Sequence, residues 1–216
     1  MNSWEEIVCG LKEHAQRMHE AREAGLSKTR ALVQTSARCI RHVHRHQFAE
    51  AERLLAEARQ IAASAQEALA PFQELYHAGY LHDSEKEMVE AAAVLAIVQE
   101  RPLPSPQELH CGTMAYLNGM GEAASEVRRY ALDEMRRGNL EAAEKILGQM
   151  ETIYDDLITF DYADSMTNGL RRTCDALRAV IERTRSDLTA TVSQQALVEE
   201  LRKTRDSFSG SQDTAL

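Results

Sequence analysis

At 216 residues, 44% of them hydrophobic and 27% charged, the chain has a globular composition and the length for one domain with a substantial core. A formal charge of −9 excludes a protein that coats nucleic acid with its whole surface, and aromatics at only 5% argue against a sheet-rich fold. The longest apolar run, residues 91–98, falls far short of the roughly 20 residues of a membrane span, and the first residues lack a basic and then apolar leader. A cytosolic or nuclear protein is expected, with cytoplasmic the default.

From Trp4 to Arg45 apolar residues recur at spacings of three and four, which predicts one long helix bent near Gly25. A second helix is expected over 48–69, stopped by Pro71, and a short third over 72–77, ended by Gly79. Asp83 and Ser84 offer N-caps for a fourth over 85–99. The run Arg101-Pro-Leu-Pro-Ser-Pro106 reads as a rigid, extended connector. Helices over 113–136 and 140–160 follow, with Gly138-Asn139 supplying the turn between them, and a last helix covers 166–205. The fold class is therefore all-α, with about seven helices in a single domain over 1–206 and a polar, disordered tail at 207–216.

The segments beginning at His46 and at Arg137 look alike, yet their separation does not fit a tetratricopeptide period of about 34 residues. Cys9, Cys39, Cys111 and Cys174 form no CxxC pair and lack histidines at zinc-finger spacing, so four reduced and mostly buried thiols are expected.

The chemistry-bearing candidates are glutamates. Glu87 and Glu90 lie three apart, and Glu122 and Glu126 four apart, so each pair projects from one face of its own helix. Like charges so placed repel, and Glu90 also borders the apolar run Ala91, Ala92, Ala93, Val94 and Leu95. Two such pairs facing each other across a bundle would offer hard oxygen ligands to Mg²⁺ or Mn²⁺, an arrangement suited to phosphodiester cleavage. Solvated glutamate pairs are the common alternative among 34 acidic residues. Neither pair carries the Glu-x-x-His spacing of a di-iron bundle.

Between Lys28 and His46 stand five Lys or Arg, three histidines and no acid. Arg38, Arg41, His42 and Arg45 share about one helix face, where they would track a phosphate backbone or simply face water. The arginines of the last helix are interleaved with Asp175, Glu182 and Asp187, a pattern of salt bridges rather than of ligand binding.

Tyr116-Leu-Asn-Gly-Met-Gly-Glu-Ala-Ala-Ser-Glu-Val-Arg-Arg129, with Arg136-Arg-Gly-Asn-Leu after it, resembles the translin family. Lys86-Glu-Met-Val-Glu-Ala91 is similar to the Gln-Glu-Tyr-Val-Glu-Ala motif of translin-associated factor X, the catalytic branch. The run from Leu170 to Leu188 resembles the family's C-terminal helix, so the likeness spans about 4–203.

The resemblance implies a seven-helix protomer and a hollow, octamer-like homo-oligomer. It also implies binding of single-stranded RNA or DNA and, in the factor X branch, a metal-dependent endoribonuclease. Glu87, Glu90, Glu122 and Glu126 then become catalytic metal ligands, with Glu122 standing where the branch carries aspartate. Arg129 matches a basic position beside the site and joins Arg38, Arg41, His42 and Arg45 as a nucleic-acid contact. The compact chain looks like a prokaryotic-type member. A non-catalytic oligomeric binder of single-stranded RNA or DNA is the rival reading.

Overall fold

The computed structural model describes residues 3–210, with side chains to residue 206. Nine helices and no strand are present among the described residues. Six are long: α1 (Trp4–His44), α2 (Phe48–Leu69), α4 (Tyr80–Val98), α6 (Thr113–Arg137), α7 (Leu140–Leu157) and α9 (Leu170–Gly210). The single turns α3 (Gln73–Tyr76), α5 (Pro106–Leu109) and α8 (Asp164–Thr167) lie between them. No helix among the described residues is long and apolar enough to cross a membrane.

A capping box starts α1, with the Ser3 hydroxyl accepting from the Glu6 amide and the Glu6 carboxylate accepting from the Ser3 amide. The helix runs on through Gly25 without interruption. Gly25 serves the packing instead: a Cβ there would lie 2.5 Å from the Leu69 side chain, at the end of α2. Its C-terminal half buries Leu32, Cys39, Ile40 and Val43, while Trp4, Ile7 and Leu11 stay exposed.

The central element is α4, which buries every residue from Ala91 to Ile97, as a helix apolar on all sides must. It packs between α1 on one side and α6 on the other, with α2 covering α1 and α4, α7 behind α6, and α9 against α6 and α7. The approach of α6 to α4 is very close. A Cβ on Gly119 would sit 2.7 Å from the Lys86 carbonyl oxygen and 2.7 Å from Val89 Cβ, so only glycine lets these backbones meet. Asn118 next to it is buried and satisfied, donating to the Met114 and Thr167 carbonyls and accepting from the Thr173 hydroxyl.

Several boundaries differ from the sequence expectation. α4 begins at Tyr80, behind a left-handed Gly79 (φ 95°), rather than at Asp83 or Ser84. Ser84 is buried and donates to the Leu81 carbonyl instead of capping. The proline connector ends in a helical turn, because Ser105 and Glu108 form a second capping box with Pro106 at the first helical position. α7 stops at Leu157, three residues early, and left-handed Asn168 and Gly169 delay the last helix to Leu170. With no proline to stop it, α9 continues to Gly210, four residues into the expected tail, and residues 211–216 lie outside the described residues. The two look-alike segments each open the second helix of an αα-hairpin, and their turns touch: Arg137 Nη2 lies 3.0 Å from His46 Nε2.

Candidate metal centre

Where Gly119 brings α6 onto α4, the partly buried carboxylates meet. Glu87, Glu90 and Glu122 each offer an oxygen within 4.8 Å of the others. Glu126, one turn beyond Glu122, is not part of that trio. Its Oε1 is 2.6 Å from His44 Nε2, reaching across to α1. Three of the four candidate glutamates therefore converge, and the fourth stands beside them in another side chain's grip.

The cluster carries its own counter-charge. Lys86 Nζ donates to Glu122 Oε1 at 2.7 Å, with both side chains mostly buried. Burial alone would lower the ammonium's pKa, but the hydrogen bond and charge of Glu122 outweigh it and the net shift is upward. Glu90 is pushed up to about 8, first by burial and then by the negative charges of Glu87, Glu122 and Glu126, with Lys86 offsetting only part. Glu87 moves upward for the same reasons, burial first and then Glu122. With all three carboxyls ionised, one ammonium leaves two negative charges uncompensated, the amount a divalent cation matches; without a cation, Glu90 keeps its proton at neutral pH. The donors are hard oxygens on adjoining helices, the set that Mg²⁺ or Mn²⁺ takes while keeping positions for water or phosphate.

The expected phosphate contacts fall into two groups. Arg129 is exposed on the α6 face that carries Glu122 and Glu126, seven and three residues on from them. It forms no ion pair with a described acidic residue, whereas its neighbour Arg128 is taken up by Thr184 and Asp187 on α9. Arg38, Arg41 and Arg45 are exposed and equally unpaired among the described residues. His42 is engaged locally, with Nδ1 2.6 Å from Gln47 Oε1. Arg38 and His42 act on Glu50 of α2, so that part of the basic stretch faces the α1–α2 hairpin rather than the carboxylates.

Sequence reasoning passed over two residues that the fold places at the centre. His44 was counted only within the basic stretch, although Ile40 and Ala37, four and seven residues earlier, put it on the apolar stripe of α1. Lys86 stands within the acidic motif itself.

Cys39 and Cys174 are buried, Cys111 is half-buried and Cys9 is exposed, with no disulfide among the described residues. Burial pushes the Cys39 and Cys111 thiols up to about 12, which makes both poor nucleophiles. In the last helix the arginines pair only in part. Arg185 holds Glu182 and Glu151, and Asp187 pairs with Arg128 of α6.

An all-helical bundle with a carboxylate trio built across two packed helices is thus the class that fold and site define. No family model matches the chain. An uncharacterized protein of Methanocaldococcus jannaschii is 29% identical over 185 residues, covering 84% of this chain and 81% of that protein. Among solved structures, C3PO of Archaeoglobus is similar at 31% identity and a TM-score of 0.81, over 88% of this chain and 98% of that one. The same protein in complex with duplex RNA gives 30% and 0.80 over the same shares, and apo-NeC3PO gives 26% and 0.77 over 85% and 96%. The chain belongs to the translin family.

Proposed function

We propose that this protein is an endoribonuclease of the factor X type, dependent on Mg²⁺ or Mn²⁺, that cuts single-stranded RNA inside a homo-oligomeric, octamer-like shell. The observation that carries the reading is the convergence of Glu87, Glu90 and Glu122 to within 4.8 Å, against their mutual repulsion. The Archaeoglobus neighbour bound to duplex RNA supports nucleic acid as the ligand.

The trio would hold a divalent cation, which would supply a Lewis acid for the phosphate and lower the pKa of water. The chain's own residues do the rest. Glu87, Glu90 and Glu122 would hold the cation, with Glu90 ionised in that state and its proton lost to solvent. Arg129 holds a phosphate oxygen beside the cluster through a charge-assisted hydrogen bond. Arg41 and Arg45 attract the flanking backbone without reading its sequence.

Lys86, already neutralising Glu122, is the observation that favours the rival reading of a non-catalytic binder of single-stranded RNA or DNA. One assay separates the two. Purified protein is incubated with labelled single-stranded and duplex RNA, with Mn²⁺ or with chelator, alongside a Glu87→Ala/Glu90→Ala variant. Cleavage of single strands that needs both Mn²⁺ and the glutamates supports the nuclease. Binding without cleavage supports the rival, and cleavage that survives the double substitution refutes the site.

A further inference from the structure

His44 is buried in the bundle, its side chain 4% exposed, and no carboxylate of the trio pairs with it. Its one side-chain hydrogen bond crosses from α1 to α6 and ends on Glu126 Oε1, 2.6 Å away. An ionised carboxylate only accepts, so Nε2 carries the hydrogen in that bond. The opposite ring nitrogen, Nδ1, is buried with no partner at all.

This is a costly way to join two helices. A buried polar atom without a partner forfeits the hydrogen bonds it made to water, and apolar side chains would link α1 to α6 without that loss. α1 and α6 moreover each pack on α4, which lies between them. The histidine thus adds little to a bundle that α4 already holds together. What it does fix is the carboxyl group of Glu126, one helical turn from Glu122 and near enough to Glu90 for its charge to act there.

We propose that His44 is a positioning residue for the metal centre: by holding Oε1 of Glu126 it leaves Oε2 as that residue's single free oxygen, turned into a one-oxygen ligand completing the set of Glu87, Glu90 and Glu122. The inference rests on the reading of the trio as a cation site. It accounts for the separation of Glu126 from the trio, because a fourth loose carboxylate would add repulsion whereas a tethered one is held in readiness. Partners of this kind, which orient a ligand without touching the metal, typically change metal affinity by about 10–100-fold when removed.

The test is Mn²⁺ binding, followed by calorimetry and by the electron paramagnetic resonance signal of free Mn²⁺, on the full chain without RNA. His44→Phe keeps the volume and removes the hydrogen bond, and His44→Gln keeps a donor. The expected result is affinity reduced about tenfold or more in His44→Phe, with most of it regained in His44→Gln. Adding Glu126→Gln to His44→Phe should cost little more, since the same ligand is already lost. Adding Glu87→Gln should cost its full effect again.

A general loosening of the bundle would instead weaken Mn²⁺ binding independently of Glu126, and full additivity with Glu126→Gln overturns the inference. So does wild-type affinity in His44→Phe. If the wild-type protein itself binds no Mn²⁺, the cation site falls, and the role of His44 falls with it; the two failures are told apart by the wild-type titration alone.

Discussion

Replacing Glu90 by glutamine should make the metal-free protein more stable at neutral pH while abolishing tight Mn²⁺ binding. An ordinary glutamate ionises near 4.5 and Glu90 near 8, because burial and the surrounding carboxylates oppose its charge. Below pH 4.5 both folded and unfolded chains carry the proton and Glu90 costs nothing. Between 4.5 and 8 the unfolded chain releases a proton that the folded chain keeps, so stability falls as pH rises, and above 8 the loss is constant.

At about 1.4 kcal/mol per pH unit the loss by pH 7 is roughly 3 kcal/mol, and water entering the partly open site reduces this to on the order of 1–3 kcal/mol. Glutamine does not ionise and escapes it. For a domain of this size the gain corresponds to a rise of roughly 3–8 °C in Tm. Thermal melts of both proteins at one concentration, in chelator, from pH 4 to pH 9, provide the measurement. The curves should coincide below pH 4.5 and separate progressively to pH 8. A difference independent of pH, or a less stable variant at pH 8, would refute the electrostatic account of the cluster.

Gly119→Ala should destabilise the fold by about 1–3 kcal/mol, since its Cβ meets backbone at Lys86 that does not yield, and it should weaken Mn²⁺ binding by parting α4 from α6; denaturant titration and calorimetry measure the two effects. Lys86→Gln frees a Glu122 oxygen and removes a competing positive charge, so Mn²⁺ affinity should rise several-fold, on the order of 1 kcal/mol, as calorimetry would show. A combined Arg38→Ala, Arg41→Ala and Arg45→Ala variant should weaken single-stranded RNA binding. If all three touch phosphates, it should also flatten the slope of log affinity against log salt by about 2, read by fluorescence anisotropy across salt concentrations.

How much of this was legible in sequence varies with the range of the interaction. Helical periodicity located five of the six long helices, because each buries one stripe against its neighbours, while α4 was marked by its apolar run and the proline connector after it. The starts of α4 and α9 escaped these signals, since left-handed Gly79, Asn168 and Gly169 set them, while Asp83 and Ser84 mimic a cap locally. The spacing of Glu87 with Glu90 and of Glu122 with Glu126 was readable, and the resemblance joined the two pairs across the bundle. That His44 holds Glu126 was not, because the bond links residues 82 apart in sequence. Lys86 was read only as part of a motif, and its bond to Glu122 depends on the close approach that Gly119 permits.

Whether the trio holds a divalent cation is decided by anomalous diffraction from crystals of the protein soaked in Mn²⁺. One strong peak is expected within about 2.5 Å of carboxylate oxygens from Glu87, Glu90 and Glu122, absent from crystals of the Glu87→Ala/Glu90→Ala variant. A peak elsewhere with none at the trio, or a trio still closed on Lys86 at saturating Mn²⁺, would contradict the cation site.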